Sequence, residues 1–473
     1  MVRERLIYKT VLSLVTIAAS GAIRLAFSLL VGHVFGPPTL GHANVIISGA
    51  VFATLLCSPG MGQSVARQMA TRGLTIDSPQ GRTILARATA GHHLVCLIVA
   101  AIAVVLIPTD GRAEAAMAFA LTFGYGCYTY YKAVMYGVDQ VARYAALELI
   151  WDALFAGTLV LVAVTAARSW LLAPMVLVYL GFALGAHVSL FGWRRRSITG
   201  RHDGTGLWRV IVPFAAVTTA GTASSAGFLQ LSQIFAAHAD PGHGSGLFAA
   251  AMSLVTPAYL LPRALSVVLF PAMARAAGRS DAALVRRQLV VGTDVLAAAM
   301  LPAFAFAGMI ASALLALYGA SFHGGATTLL IMLWATWVSI ASVPAVNALS
   351  SDPGRAYLVP AAASVIGFAI GLAFWFALGT SIVMVAWGYL AGSVVQSVIP
   401  VVEAARRHGG LRMGLGLRSV LVAALGIVVG MSVIHRPIVV QVSVGVVAAI
   451  VAATAVLPEL RGILRAWRVP SHA

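Results

Sequence analysis

Two arginines lie inside stretches of sequence that otherwise consist of apolar and small residues. Arg24 stands in SGAIRLAFSLLVG, residues 20–32, and Arg263 stands in a proline-rich stretch over residues 246–272. A charged side chain at the centre of a bilayer costs at least ~2.5 kcal/mol, so we expect it to face protein or water. A guanidinium presents paired N–H donors that match the oxygens of a phosphate group. These two residues therefore predict a site for an anionic group within the membrane.

Polar side chains accompany both arginines at helical spacing. A helix turns by about 100° per residue. This rotation places a set of polar side chains in the stretch that contains Arg24 on a face about 120° wide, and a second set, in the stretch over residues 208–236, on a face about 80° wide. The first set is Thr10, Ser13, Thr16, Ser20, Arg24 and Ser28, and the second is Thr219, Thr222, Gln230 and Gln233. Tyr259 and Thr256 precede Arg263 by one and two turns. These stripes predict either the lining of a wet cavity or polar ties between helices.

Acidic residues are rare near the apolar stretches. Glu148 and Asp152 are four residues apart on one predicted helix, and Asp294 lies on another. A carboxylate that moves between wet and dry surroundings changes its proton affinity, so these three are candidates to couple transport to a proton or sodium ion. The alternative is simple solvation, because each lies near a predicted cytoplasmic end.

Cysteine and histidine spacing gives no sign of a disulfide or a metal site. Cys57, Cys96 and Cys127 lie inside apolar stretches without paired spacing and are interpreted as small core residues. Several histidines gather at predicted outer ends, where polar interface residues are expected: His33, His42, His238, His243, His323 and His435.

The elements that must position these residues are membrane-spanning helices. The 473-residue chain is 60% hydrophobic and 10% charged, which is the composition of a membrane protein. Fourteen apolar stretches are long enough to cross about 30 Å of hydrocarbon as helices. They lie near residues 11–34, 41–58, 88–107, 113–133, 145–166, 170–192, 208–236, 246–272, 288–317, 325–347, 357–379, 381–402, 419–435 and 438–458. The predicted fold class is an all-α polytopic membrane protein with about fourteen transmembrane helices.

Basic residues orient the chain. With the N-terminus in the cytoplasm, 26 of the 31 Lys and Arg residues flank spans on the cytoplasmic side and three lie outside. This positive-inside pattern predicts an even number of spans with both termini cytoplasmic. The formal charge of +17 therefore does not indicate nucleic-acid binding, because no basic cluster lies on a soluble module.

Two pairs of internally similar segments predict a duplication. PPTLGHANVIISGAVFATLLCSPG, from residue 37, is similar to PGHGSGLFAAAMSLVTPAYLLP, from residue 241, and ARYAALELIWDALFAG, from 142, is similar to GRAYLVPAAASVIGFAIG, from 354. The similar offsets favour an arrangement of six plus six spans with two appended. The predicted division is 1–200 for spans 1–6, 201–410 for spans 7–12, and 411–473 for spans 13–14 and a cytoplasmic tail.

These features resemble a known family. The sequence is similar to the oligosaccharide-lipid flippases of bacterial polysaccharide assembly. The similarity lies in the two internal repeats, the polar seventh span, the segment PRALSVVLFPAMARAA at 262–277 and the count of fourteen spans. That family shares a superfamily with the MATE multidrug exporters and the lipid II flippases. The resemblance implies two six-helix lobes around a central cavity in the bacterial inner membrane. It implies alternating-access transport of a polyprenyl-diphosphate-linked oligosaccharide for O-antigen, capsule or exopolysaccharide assembly. A polysaccharide polymerase and chain-length machinery are candidate partners.

On this interpretation Arg24 and Arg263, one from each lobe, bind the diphosphate headgroup, with Ser20, Ser28, Thr219, Thr222, Gln230, Gln233 and Tyr259 as further substrate-binding candidates. No phosphate-binding GxxxxGK[ST] loop, HExxH or nucleophile elbow is present, so we expect neither an enzyme nor a cofactor. A MATE-type cation-coupled exporter is the alternative, and it predicts acidic cavity residues. A membrane-embedded glycan polymerase or ligase would require a large outer catalytic loop, and no such loop is present.

Overall fold

The computed structural model describes residues 2–71, 74–192, 207–352, 354–409, 413–459 and 461. Within these residues the chain is almost entirely helical and contains no β-strand. The α-helices are α1 Val2–Leu55, α2 Ser58–Thr71, α3 Pro79–Leu106, α4 Arg112–Gly137, α5 Val141–Val164, α6 Ala173–Phe191, α7 Leu207–Ala239, α8 His243–Val255, α9 Leu260–Gly278, α10 Ala282–Met309, α11 Ala311–Leu315, α12 Ala326–Ala341, α13 Val343–Ser351, α14 Leu358–Leu378, α15 Ile382–His408, α16 Met413–Val433 and α17 Ile438–Ala455. Short 3-10 turns lie at Arg168–Trp170, Thr256–Tyr259, Ala316–Tyr318 and Ala320–Gly325.

All fourteen predicted spans coincide with helical segments. Among the described residues, eleven helical stretches are long and apolar enough to cross a membrane, and the first of these, Val11–Met69, contains two of the predicted spans. The two predicted spans outside that set are the helices α4 and α7. The all-α polytopic class is therefore confirmed.

The sequence predicts a short outer turn, FGPPTLG, between the first two spans, and the structure has a kinked helix there instead. Helix α1 continues through the FGPPTLG segment, interrupted only at Gly36, where φ is 78° and ψ is 178°. Positive φ strains a residue that has a Cβ, so glycine is suited to this position. Pro37 and Pro38 follow in the first turn of the second half, where proline needs no backbone N–H partner. A kink thus replaces the expected loop.

Two compact units divide the chain. The first comprises Met1–Phe35 and His42–Ile234, and the second comprises Gly36–Gly41 and Phe235–Ala473. The first unit therefore contains α2 to α6 and most of α7, whereas the sequence division assigns the seventh span to the second lobe. The lobe boundaries inferred from the sequence stay a prediction.

Small residues permit close backbone approach within the second unit. A Cβ on Gly41 would lie 2.6 Å from the backbone nitrogen of Gly246, and a Cβ on Gly246 would collide with the carbonyl oxygen of Pro37. Such glycine contacts are typical of membrane helices, whose association depends on van der Waals packing. The Gly36–Gly41 segment is thereby fastened to α8.

Prolines mark two helix breaks. The prolines of the eighth span, Pro257, Pro262 and Pro271, predict that its helix is interrupted, and the structure has the break at the first of them. Helix α8 ends at Val255, a 3-10 turn over Thr256–Tyr259 contains Pro257, and α9 continues through the other two prolines. A second break separates α1 from α2 at Leu56 and Cys57, just before Pro59. Breaks of this kind in transporter helices commonly lie near a binding site or a bending point.

Candidate functional site

Arg24 lies within the first unit, on α1, and is partly buried. Its guanidinium carbon is 5.8 Å from the ring centre of Tyr125 on α4 and 5.8 Å from that of Tyr179 on α6. The two rings themselves pack edge to face at 4.9 Å. Ring faces attract a cation with ~0.5–1 kcal/mol each, and more when water is excluded. Across the described ranges the guanidinium makes no hydrogen bond or ion pair with a protein group, so its N–H donors are available to a ligand.

One helical turn before Arg24, Ser20 contacts a buried pair of carboxyl groups on α5. The Ser20 hydroxyl lies 2.7 Å from Glu148 Oε1 and 3.0 Å from Asp152 Oδ2. Because both contacts share one oxygen, the two carboxyl oxygens are at most 5.7 Å apart. Glu148 is only 4% exposed and Asp152 only 7%. Simple solvation therefore does not explain these residues.

The Ser20 hydroxyl has too few hydrogen atoms to donate a full hydrogen bond to both carboxyl groups. A serine hydroxyl has one hydrogen, so it donates fully to one carboxylate oxygen at a time. The second contact becomes a full hydrogen bond when a carboxyl group is protonated and donates to the Ser20 oxygen. Glu148 Oε1 already accepts a second hydrogen bond, from the Tyr128 hydroxyl at 2.7 Å. Asp152 has only the serine contact among the described residues, so it is the better candidate to hold an added proton or cation.

Helix α4 adds a second cation. Lys132 Nζ donates to the Tyr128 hydroxyl at 3.1 Å and lies 5.4 Å and 5.2 Å from the ring centres of Tyr128 and Tyr144. In the sequence Lys132 is one of the 26 basic residues that flank predicted spans, and no motif marks these tyrosines. Tyr128 and Lys132 follow Tyr125 by three and seven residues, a spacing that places all three on one face of a helix. This spacing was the sequence signal that could have identified them.

These contacts define one group of side chains, which we call the Arg24 cluster. Its members are Ser20, Arg24, Tyr125, Tyr128, Lys132, Glu148, Asp152 and Tyr179. Arg24 is within electrostatic range of Glu148, and both cations are within range of Asp152. With all four groups ionised, two positive and two negative charges balance. The cluster thus joins two predicted substrate-binding residues, Ser20 and Arg24, to both predicted ion-coupling residues of α5.

The remaining candidates of the first unit lie on α1 and α7. Ser28 is buried on α1. The Thr222 hydroxyl donates to the carbonyl of Thr218 at 2.7 Å, which is a bond within its own helix. Thr219 packs against Gly60, whose missing Cβ makes room for its hydroxyl.

Two glutamines complete the predicted stripe on α7. Gln233 is fully buried, and Gln230 is partly buried. Both belong to the first unit, which extends to Ile234. Burial of this kind suits a contact between packed helices as well as a cavity wall, so their assignment to substrate binding stays a prediction.

Three candidates belong to the second unit. Arg263 is exposed on α9, and the described residues offer it no hydrogen-bond or ion-pair partner. Tyr259 lies in the 3-10 turn before α9 and contacts Tyr389 on α15. Asp294 is buried on α10 at 3% exposure. The structure does not bring these three together within the second unit through any contact that it describes, so their roles stay predictions.

Comparison with solved structures identifies the fold. The lipid II flippase MurJ in an inward closed conformation is similar over 96% of this chain and 100% of its own, with a TM-score of 0.65 and 12% sequence identity. An inward-facing multidrug resistance MATE family transporter of the MOP superfamily is similar over 83% of this chain and 96% of its own, with a TM-score of 0.58 and 14% identity.

A third structure comes from Pyrococcus furiosus and is described as a MOP superfamily transporter whose reversed binding-pocket polarity suggests a different function. It covers 86% of this chain and 96% of its own, with a TM-score of 0.55 and 13% identity. No protein-family model matches the sequence. No curated protein matches it either. The chain therefore has the MATE-like fold of multi-pass transporters and flippases, and the resemblance inferred from the sequence is confirmed at that level.

Proposed function

We propose that this chain is a flippase that moves a polyprenyl-diphosphate-linked oligosaccharide from the cytoplasmic to the outer leaflet of the bacterial inner membrane. The product would serve O-antigen, capsule or exopolysaccharide assembly. The observation that carries the proposal is Arg24, a cation within a membrane-spanning helix whose N–H donors have no protein partner among the described residues. The shared fold with a lipid II flippase, over that protein's whole length, supports the same class of transport.

A diphosphate is the chemical group that best fits this arginine. An anion that leaves water for a membrane interior loses hydration, and a guanidinium replaces it with two parallel N–H donors. The Tyr125 and Tyr179 rings attract the cation without accepting a hydrogen bond from its N–H groups, which leaves these donors to the ligand. Arg263 is a second proposed headgroup ligand, because it too lies within an apolar span without a described partner.

The carboxyl pair gives the proposed transport a source of coupling. With Glu148 and Asp152 both ionised, the Arg24 cluster has no net charge. One proton bound at Asp152 would leave an excess of one positive charge, which favours an anionic headgroup. Linkage requires the reverse as well: the bound headgroup would favour uptake of the proton. A sodium ion bound by the two carboxylates would have the same electrostatic effect.

A MATE-type exporter of cationic compounds is the second candidate, and the same carboxyl pair favours it. Buried acids beside tyrosine ring faces are a suitable environment for an organic cation. Two cations, Arg24 and Lys132, lie in the same cluster and oppose such a ligand by repulsion. On this count the anionic substrate is favoured. The solved structures named above are a flippase and transporters, and none of them supports the polymerase or ligase alternative.

Deletion of the gene tests the proposal against the exporter. We expect lipid-diphosphate oligosaccharide to accumulate in the cytoplasmic leaflet and surface polysaccharide to fall, with both restored by the wild-type gene. Leaflet location is read from the access of an added glycan-cleaving enzyme to the lipid-linked pool in spheroplasts. Unchanged surface glycan combined with greater sensitivity to cationic drugs would support the exporter instead.

A further inference from the structure

All three cysteines of the chain meet at one place in the first unit. Cys57 lies at the break between α1 and α2, Cys96 lies on α3, and Cys127 lies on α4. The Cys96 thiol contacts both other thiols. All three are free thiols and are buried. Sequence spacing predicts no pairing, because residues that are 39 and 31 positions apart reveal their proximity only when the helices are packed.

Two histidines of α3 join the thiols. The ligand atoms of Cys57, His92 and Cys96 all lie within 4.8 Å of one another, and so do those of His92, His93 and Cys127. The two triads share His92, and the contact between the Cys96 and Cys127 thiols connects them. Ligand atoms around a tetrahedral metal with ~2.3 Å bonds to sulfur are roughly 3.8 Å apart. Within either triad the ligand atoms therefore need to approach one another by about 1 Å or less to enclose an ion.

His92 has the hydrogen-bonding pattern of a metal ligand. Its side chain is fully buried, its ring stacks on Tyr130 at 4.2 Å, and its Nε2 lies 3.0 Å from the Ser58 hydroxyl. Its Nδ1 is buried and has no hydrogen-bond partner within the described ranges. A histidine that binds a metal through one nitrogen commonly donates the other N–H to an oxygen, which fixes the tautomer and the ring orientation. The Ser58 contact supplies that second interaction.

We propose that the Cys57–His92–Cys96 triad, with Cys127 and His93 adjacent, forms a binding site for a thiophilic d¹⁰ cation, Cu(I) or Zn(II). Thiolate and imidazole ligands select these ions over Mg²⁺ and Ca²⁺. Charge balance suits a buried site, because Zn(II) with two thiolates or Cu(I) with one thiolate is neutral. Each thiol that binds releases its proton, so metal uptake is accompanied by proton release.

The position of the site indicates its consequence. Cys57 is in the two-residue break that separates α1 from α2, whereas its partners lie inside continuous helices. A metal bound there would fasten the break to α3 and α4. Metal binding is therefore expected to raise thermal stability and to slow any movement that bends the chain at Leu56 and Cys57.

Metal content of the purified full-length protein tests the site. The protein is prepared in detergent from cells grown with added zinc or with added copper, and metal per chain is measured by mass spectrometry. We expect about one ion per chain for at least one of the two metals, and at least a tenfold loss in Cys96→Ala. The His33→Ala variant serves as the control, because His33 is an exposed histidine outside the site. It should retain the metal.

Folding is checked separately from metal binding. A variant is taken as folded when it elutes as a single species in size-exclusion chromatography. If Cys96→Ala aggregates, Cys57→Ala replaces it. Wild-type protein with less than a tenth of an ion of either metal would overturn the proposal. So would a folded cysteine variant that keeps its metal, or a metal-free wild type in which two of the three thiols are joined in a disulfide.

Discussion

Replacing Arg24 by alanine should greatly reduce transport without removing the protein from the membrane. Hydrogen bonds to charged groups contribute about 1.5–3 kcal/mol, so loss of the guanidinium contact should weaken headgroup binding by roughly 10-fold to 150-fold. The stability cost is smaller. Among the described residues the direct contacts of Arg24 are two ring-face contacts of about 0.5–1 kcal/mol each, while Glu148 and Asp152 interact with it at longer range. Arg24→Lys retains the charge but not the paired donors, and we expect it to restore transport only in part.

The assay compares surface polysaccharide with membrane-protein level in a deletion strain that carries each variant. Arg355→Ala is the matched control, because Arg355 is an exposed arginine between α13 and α14, and it should behave as wild type. Two results would refute the reasoning: normal export by Arg24→Ala, or a loss of export that is matched by an equal loss of protein. Either would make Arg24 a structural tie between helices.

Asp152, Gly246 and the C-terminal end of the chain can each be tested separately from Arg24. Asp152→Asn should abolish the dependence of transport rate on an imposed proton or sodium gradient. The control Glu403→Gln, at a partly exposed carboxyl that is paired with Arg407, should leave that dependence intact. An unchanged response in Asp152→Asn would exclude this carboxyl as the coupling group. Gly246→Ala places a Cβ against the backbone carbonyl of Pro37 and should lower protein abundance several-fold. Gly157→Ala is the control: no atom lies within 4 Å of its Cβ, so it should be neutral or stabilise the protein by about 0.5–1 kcal/mol. Equal abundance of the two variants would contradict the close packing of Gly246 against Pro37. A cytoplasmic reporter fused after Arg468, which lies outside the described residues, should be active, and activity of a periplasmic reporter there would reverse the topology.

The helices could be predicted from the sequence because their signals are local. Apolar length marks each span, and proline marks the break at Thr256–Tyr259. The hydroxyl stripe of the first span also identified Ser20 and Arg24 as neighbours on one face, and the structure places both in the Arg24 cluster. A stripe of polar side chains is a property of one helix, so no knowledge of packing was needed.

Contacts between helices could not be predicted in the same way. The acids of α5 were candidates by residue type alone, and nothing in their spacing shows that Ser20 of α1 lies between them. Convergence of the three cysteines likewise depends on how α2, α3 and α4 pack. The kink at Gly36 was missed for a local reason: a Gly-Pro-Pro sequence suits either a loop or a sharp bend between helices.

Transport by the purified protein tests the central claim most directly. The full-length chain is reconstituted into liposomes that contain a fluorescent polyprenyl-diphosphate oligosaccharide, and the fraction of the lipid that an added glycosidase or quencher can reach is followed with time. We predict transfer between leaflets that is much faster with wild-type protein than in protein-free liposomes, and that is lost with Arg24→Ala. No transfer of this lipid by folded wild-type protein, together with uptake of a cationic dye by the same liposomes, would contradict the flippase and support the exporter.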